Sequence, residues 1–283
     1  MTKQLNILFI PFPVVGRVNG SVGVAEVLIA AGHSVTFAVS HHWLGRLTKY
    51  GIREVLLDDT DTSSQDFIKS FSQQLVKSQI VSSVSPLEKA RTRGKKYQDR
   101  VDKVLKLDKH IEKMLIDLKP DCVILDQFVA IPSVVLSGIP FVNSNSVAPL
   151  SMWDDPRTPP PSSGLSANGD KTLWHQFREV MYKSKESWIQ FNHYIVSRGG
   201  QPLNENCFHD TKQALNIYGY PLELDYTDIR PLPKNYIRFD NFKRTEKELE
   251  FEIPVPLRDR PGKLIYFSLG SMASADVKNM KRL

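Results

Sequence analysis

The stretch Asn6–Ser40 (NILFIPFPVVGRVNGSVGVAEVLIAAGHSVTFAVS) leaves little freedom in how the chain folds. An apolar run, Ile7–Ile10, meets a Pro/Gly-rich turn, Pro11–Gly16, followed by a helical segment and a second apolar run, Val35–Val39. Val22, Val24, Ala25, Leu28 and Ile29 supply the i, i+3, i+4 spacing of a helix packed on a sheet. Asn19 is placed to cap that helix and Gly32 to end it. Strand, helix and strand in so few residues predict a βαβ unit, hence an α/β fold with a parallel sheet and right-handed crossovers. The functional crevice of such a sheet lies beyond the carboxyl ends of its strands, where the turn Pro11–Asn19 falls.

The glycines of that turn, Gly16, Gly20 and Gly23, read G-x-x-x-G-x-x-G. This is neither the dinucleotide fingerprint nor a P-loop, so neither cofactor is expected from the spacing. Their plainer meaning is a tight turn and a close approach of helix to sheet.

The 283 residues suffice for one or two domains, and 41% hydrophobic with 24% charged content is ordinary for a soluble globular protein. The net charge of +6 is modest and scattered. Its one dense patch, Lys89–Lys96 (KARTRGKK), reads as a solvated helix face, because no aromatic stacking motif accompanies it to argue for nucleic acid. Cys122 and Cys207 form neither a disulfide scaffold nor a zinc pattern, and Cys122 reads as a small buried residue in an apolar strand. The N-terminus shows no signal-peptide pattern, and no window approaches the roughly 18 apolar residues of a membrane span. A cytoplasmic address is expected.

Further along, His41–Tyr50 reads as a short helix and Ile52–Leu57 as a strand. His41 and His42 lack metal-ligand partners at suitable spacing and read as surface residues. From Ser64 to Lys119 the pattern is helical, broken at Ser85-Pro86, with an apolar stripe through Val101, Val104, Leu105, Ile111, Met114, Leu115 and Leu118. Cys122–Leu125 is the near-continuous apolar run of a central parallel strand. Asp126 ends it, either facing the crevice of the first turn or capping a helix over Ala130–Leu136. A further strand follows over Pro140–Asn143.

Asp154–Lys171 is a Pro/Gly-rich loop of the length that binding loops have. Thr172–Ser197 reads as helical, carrying an aromatic band from Trp174 to Tyr194 that suits either core packing or a pocket wall. Ile217–Pro221 and Tyr236–Phe239 close the strand series. Lys243–Arg260 is charged and proline-containing, as a linker would be. Leu264–Ser268 then restarts strand, turn and helix without enough chain to bury a core.

Three segments together resemble the UDP-glycosyltransferases of GT-B fold, in style similar to arthropod, particularly mite, members. They are IPFPVVGRVNGSVGVAEVLIAAGHSVTF, PDCVILDQFVAIPSVVLSGIPFV and KLIYFSLGSMASADVKNMKRL. The resemblance covers nearly the whole chain. It implies a Rossmann-like acceptor domain over residues 1–242, an interdomain linker over 243–262, and over 263–283 the start of a nucleotide-sugar domain. It also implies inverting transfer of a sugar from a UDP-sugar to a hydroxyl of a small lipophilic acceptor, in detoxifying or secondary-metabolite conjugation. No metal and no other cofactor is expected.

In the resembling enzymes a first-turn histidine is general base and a later aspartate orients it. The aspartate falls on Asp126. The histidine position falls on Arg17, which is always protonated and cannot take a proton. The expected arrangement is an Arg17–Asp126 ion pair, with His33 at the opposite end of the sheet. Gly16, Asn19, Phe128 and Trp174 are expected at the acceptor, and Gly270 and Ser271 at the donor phosphates. The alternative is a homologue that binds a lipophilic molecule without transferring anything.

Overall fold

In the computed structural model, residues 3–58, 84–146, 150, 154–183, 185–246, 251–268 and 281–282 are described. Seven strands form one parallel sheet in the order β3-β2-β1-β4-β5-β6-β7: β1 Asn6–Pro11, β2 Ser34–Val39, β3 Arg53–Leu56, β4 Cys122–Asp126, β5 Phe141–Asn145, β6 Leu215–Gly219 and β7 Tyr236–Phe239. The Rossmann-like α/β expectation holds. From β1 the chain builds outward through β2 and β3 on one side, then returns through β4 to build the other. The β1/β4 boundary is therefore the topological switch point, and there Pro11 stands opposite Asp126.

Alternate residues of β1 feed two cores. Ile7 and Phe9 pack with Val18, Val22 and Ala25 of helix α1, Val15–Ala30. Leu8 and Ile10 face the other way, toward Ile111, Met114 and Leu115 of the long helix α3, Arg93–Leu118. Helix α2, Pro86–Arg91, precedes it, and Ser85 caps α2 reciprocally with Glu88, so the expected break has its physical cause. Helix α4, Pro132–Leu136, has its first amide groups served from α3, where Asp108 accepts from Ser133 N at 2.7 Å. Asp126 does not cap it.

Other expectations are corrected. Helix α1 starts at Val15, without a side-chain cap, so Asn19 lies inside it. Pro13 and Val14 already turn the chain. Gly32, at φ +90°, does end it. His41–Tyr50 forms two separate 3₁₀ turns. The single long helix over Thr172–Ser197 divides into α5, Lys171–Tyr182, and α6, Glu186–Ser197. Cys122 is half-buried.

Gly20 lets α1 come close to Ser146 at the end of β5, where a Cβ would stand 3.0 Å from the Ser146 Cβ. Gly23 receives instead the chain leaving β7, since a Cβ there would meet the Lys243 carbonyl carbon at 2.7 Å. That segment is pinned further by Thr245 N donating to Glu26 at 2.6 Å and by Arg244 donating to the Tyr50 hydroxyl.

A short helix α7, Val255–Arg258, follows. The strand expected over Leu264–Ser268 is not formed: residues 263–268 are irregular, with Ile265 and Tyr266 81% and 90% exposed. Among the described residues no neighbouring strand takes its hydrogen bonds, and an isolated strand has nothing to hold it. Gly270 and Ser271, the helical start after them, and the first part of the helical reading from Ser64 lie outside the described residues.

Candidate active site

The site grows from the switch point. Strand β4 delivers Asp126 at its last position, 1% exposed, and α1 brings Arg17 to it within its first turn, 4% exposed. Phe12 N bonds the Asp126 carbonyl at 2.7 Å, which fixes the β1 turn against β4. The Arg17 guanidinium donates to Asp126 Oδ1 and the Ser146 hydroxyl, just beyond β5, donates to Oδ2 at 2.7 Å. Burial pushes the Asp126 carboxyl up, against the pull of Arg17 and Ser146. Neutralising it would leave Arg17 buried without its counter-charge, which is the costlier state.

Phe128, two residues on, lies between two guanidinium groups. Arg17 stands 4.0 Å from its ring centroid and Arg100, from α3, 3.9 Å. Phe12 meets the same ring edge-on at 4.9 Å.

Two clefts flank this group. The smaller, ≈ 380 Å³, is lined by Gly16, Asn19, Ser146, Gly219 and the segment after β7. The larger, ≈ 560 Å³, is lined by Phe128, Tyr97, Tyr182, Phe208, His209 and Tyr236 among others. The Arg17–Asp126 pair bridges them, since Asp126 bonds Ser146 of the first and Arg17 covers Phe128 of the second.

His209 precedes β6 and faces the larger cleft. Loss of solvation and, after it, the charges of Arg17 and Arg100 pull its imidazole down to about 4, so it is neutral at physiological pH. On α3, Lys96 is also lowered, first by desolvation and then by Arg100 and Lys89. Arg100 acts on both residues.

No protein-family model matches the sequence, and no curated protein matches it. Among solved structures, the calicheamicin glycosyltransferase CalG4 aligns with a TM-score of 0.51 at 16% identity, over 83% of this chain and 51% of CalG4. The fold is the Rossmann-like half of a GT-B glycosyltransferase fold. The Streptomyces sp. SF2575 glycosyltransferase SsfS6, complexed with thymidine diphosphate, aligns at TM-score 0.49 and 14% identity, over 91% of this chain and 58% of its own. The spinosyn forosaminyltransferase SpnP aligns at 0.44 and 16%, over 92% and 56%. The chain thus spans about half the length of these structures, and the likeness is one of fold.

Within this GT-B fold the residues singled out from the sequence separate into groups. Arg17, Asp126 and Phe128 come together. Gly16 and Asn19 line the smaller cleft and Phe128 the larger. Trp174 lines neither: it is buried on α5, 2% exposed, which fits the packing account of the aromatic band. Phe177 and Met181 sit in a core cluster with Ala90, Phe191 in another, and Tyr182 reaches the larger cleft.

His33 accepts from Leu5 N at 3.3 Å, at the amino-terminal edge of the sheet, away from the site. His42, expected at the surface, is buried against Ser40 with Oγ···Nδ1 3.0 Å. The described residues contain no cluster of three or more His, Cys, Asp or Glu that could hold a metal, and no helix long and apolar enough to cross a membrane. Sequence reasoning missed His209, which no local pattern marks. Only the return of the chain to the far side of β5 puts it near Arg17.

Proposed function

We propose that this chain is the acceptor-binding half of a glycosyltransferase, moving a sugar from a UDP-sugar to a hydroxyl on a small lipophilic acceptor with inversion. Residues 1–242 are the acceptor domain, 243–262 the linker and 263–283 the beginning of the donor domain. A cytoplasmic address and a role in detoxifying conjugation belong to the same proposal.

The observation that carries it is the buried Arg17–Asp126 pair at the β1/β4 switch point, set between two clefts. The acceptor fits the larger cleft, with its aromatic lining. The donor would approach over Gly16, Asn19 and Ser146, completed by a second domain carrying Gly270 and Ser271. In-line displacement needs the acceptor oxygen placed against the anomeric carbon and its proton removed. Asp126 is the charge anchor of the site. Arg17 supplies a fixed positive charge paired with Asp126 and takes no proton, so the acceptor's proton passes to water while the nucleoside diphosphate leaves with the electron pair of the broken glycosyl–phosphate bond.

The second reading, a protein that binds a lipophilic ligand without transfer, is favoured by Arg17 itself, which occupies the expected base position with a group that has no lone pair to offer.

A chimera joining this chain to a complete donor domain separates the two. Arg17→His is expected to raise transfer from UDP-glucose to a phenol by roughly a hundredfold, the range of one general base, and Asp126→Ala to abolish the gain. A parent chimera already active and indifferent to Arg17→His refutes the role given to this position.

A further inference from the structure

The Pro/Gly-rich segment Asp154–Lys171 gives Asp154 and Pro161 to the lining of the larger cleft, and Tyr182 of α5 lies on the same lining. A loop has no ladder of its own, so its polar groups need partners from elsewhere to be held in one place. Arg178 of α5 supplies them. Its Nε donates to Asp154 Oδ2 at 3.0 Å and its Nη2 to Asp154 Oδ1 at 2.8 Å, the fork that a planar guanidinium makes with a carboxylate. The same Nη2 reaches the carbonyls of Asp155 at 2.9 Å and Thr158 at 2.8 Å. One turn further along α5, the Tyr182 hydroxyl donates to Asp154 Oδ2 at 2.8 Å.

Arg178 and Tyr182 stand at i and i+4 on α5, so one face of the helix carries every one of these contacts. The adjacent positions, Phe177 and Met181, are buried in the core cluster with Ala90, and Leu165 from the loop packs against the same cluster. The helix is thereby anchored, and Arg178 passes that anchorage to the loop. The pair is largely shielded from water, Arg178 being 14% and Asp154 19% exposed. Inside the loop, Arg157 N donates to Asp155 Oδ1 at 2.9 Å and Thr158 N to the Asp155 carbonyl at 3.0 Å. Residues 158–161 are buried. Arg178 does not itself line the cleft and acts only through the residues it holds.

We propose that Arg178 is the positioning residue of the larger cleft: it fixes the backbone of residues 154–158 as a finished wall, so that the cleft exists before a ligand enters and binding need not order the loop. This deepens the acceptor reading and rests on it for the kind of ligand, a small lipophilic molecule with a hydroxyl. A lysine in the same place would keep the charge. It would present one ammonium to acceptors spread over Asp154, Asp155 and Thr158, and the fork would be lost.

The test joins amide hydrogen exchange of the full chain, free and with 2-naphthol, to calorimetric titration with the same ligand. The amides to follow are those of Arg157 and Thr158, both bonded within the loop. In the wild-type chain they should exchange slowly, and 2-naphthol should change their rates by less than about twofold. In Arg178→Lys their exchange should quicken by roughly tenfold, and 2-naphthol should slow it again. The naphthol dissociation constant should rise by roughly tenfold, because binding now has to order the loop. Asp154→Asn should act in the same direction, and it carries the test where the Arg178 variant does not fold. Quickened exchange with an unchanged naphthol affinity overturns the proposal, since the clamp would then serve the fold and not the cleft. Wild-type exchange at Arg157 and Thr158 in both variants overturns it too. Failure of 2-naphthol to bind the wild-type chain overturns the acceptor reading instead. The exchange of the free proteins then decides the clamp, which stands if the variants quicken and falls if they do not.

Discussion

Lowering the pH should destabilise this chain through His209 in a way that can be isolated from general acid unfolding. An unperturbed imidazole titrates near 6.5, and in the folded chain His209 is drawn to about 4. Between those values the unfolded chain binds the proton and the folded chain does not. Stability is therefore fully present above 6.5 and lost as pH falls toward 4. At pH 4.5 the folded imidazole is still mostly neutral, while its unfolded counterpart is almost wholly charged, and the ratio of the two binding polynomials corresponds to roughly 2.5 kcal/mol. Urea unfolding at pH 7.5 and 4.5, on the wild-type chain and on His209→Gln, reads this directly. Other groups titrate equally in both proteins and cancel in the difference. The wild-type chain should lose roughly 2–3 kcal/mol more than the variant between the two pH values. A wild-type-minus-variant difference that is flat with pH would show that neither burial nor the two guanidinium groups depress this imidazole, and the reasoning would fail.

Two further outcomes follow from the packing. Arg17→Ala leaves Asp126 buried without its counter-charge and should cost about 3–5 kcal/mol in chemical denaturation, while the double change with Asp126→Ala should cost less than the two losses added. Gly23→Ala forces a methyl into the Lys243 backbone and should lower stability by about 1–3 kcal/mol, with faster amide exchange confined to residues 242–246.

Much of this fold is legible in the sequence, because its central strands are buried on both faces and so read as unbroken apolar runs. Ile7–Ile10 and Cys122–Leu125 are such runs, and both land in the middle of the sheet, one beside the other. The Arg17–Asp126 pair is legible too, for Asp126 ends a recognisable strand and Arg17 opens the helix that follows its neighbour β1. Local signals failed where tertiary contacts decide. Asn19 has the chemistry of a cap, but the turn at Pro13-Val14 starts the helix a full turn earlier. Gly23 is shaped by residue 243, far along the chain, and no local pattern announces that return. Trp174 looks like a pocket residue by composition and is consumed by packing. His209 is invisible for the opposite reason, since its burial and the charges of Arg17 and Arg100 that act on it all come from other elements.

An arginine at position 17, where the family resemblance leads one to expect a histidine, has consequences beyond the lack of a base. A histidine paired with Asp126 would sit as a neutral ring beside a buried carboxylate, and the local field would be negative. Arg17 cancels that carboxylate permanently and lays its guanidinium against the Phe128 ring. His209 is held neutral first by its burial and then by the charges of Arg17 and Arg100. Arg17→His would therefore remove the permanent counter-charge of Asp126 while placing a proton acceptor in the first turn, so the stability of the buried pair should become dependent on pH where that of Arg17 with Asp126 is not.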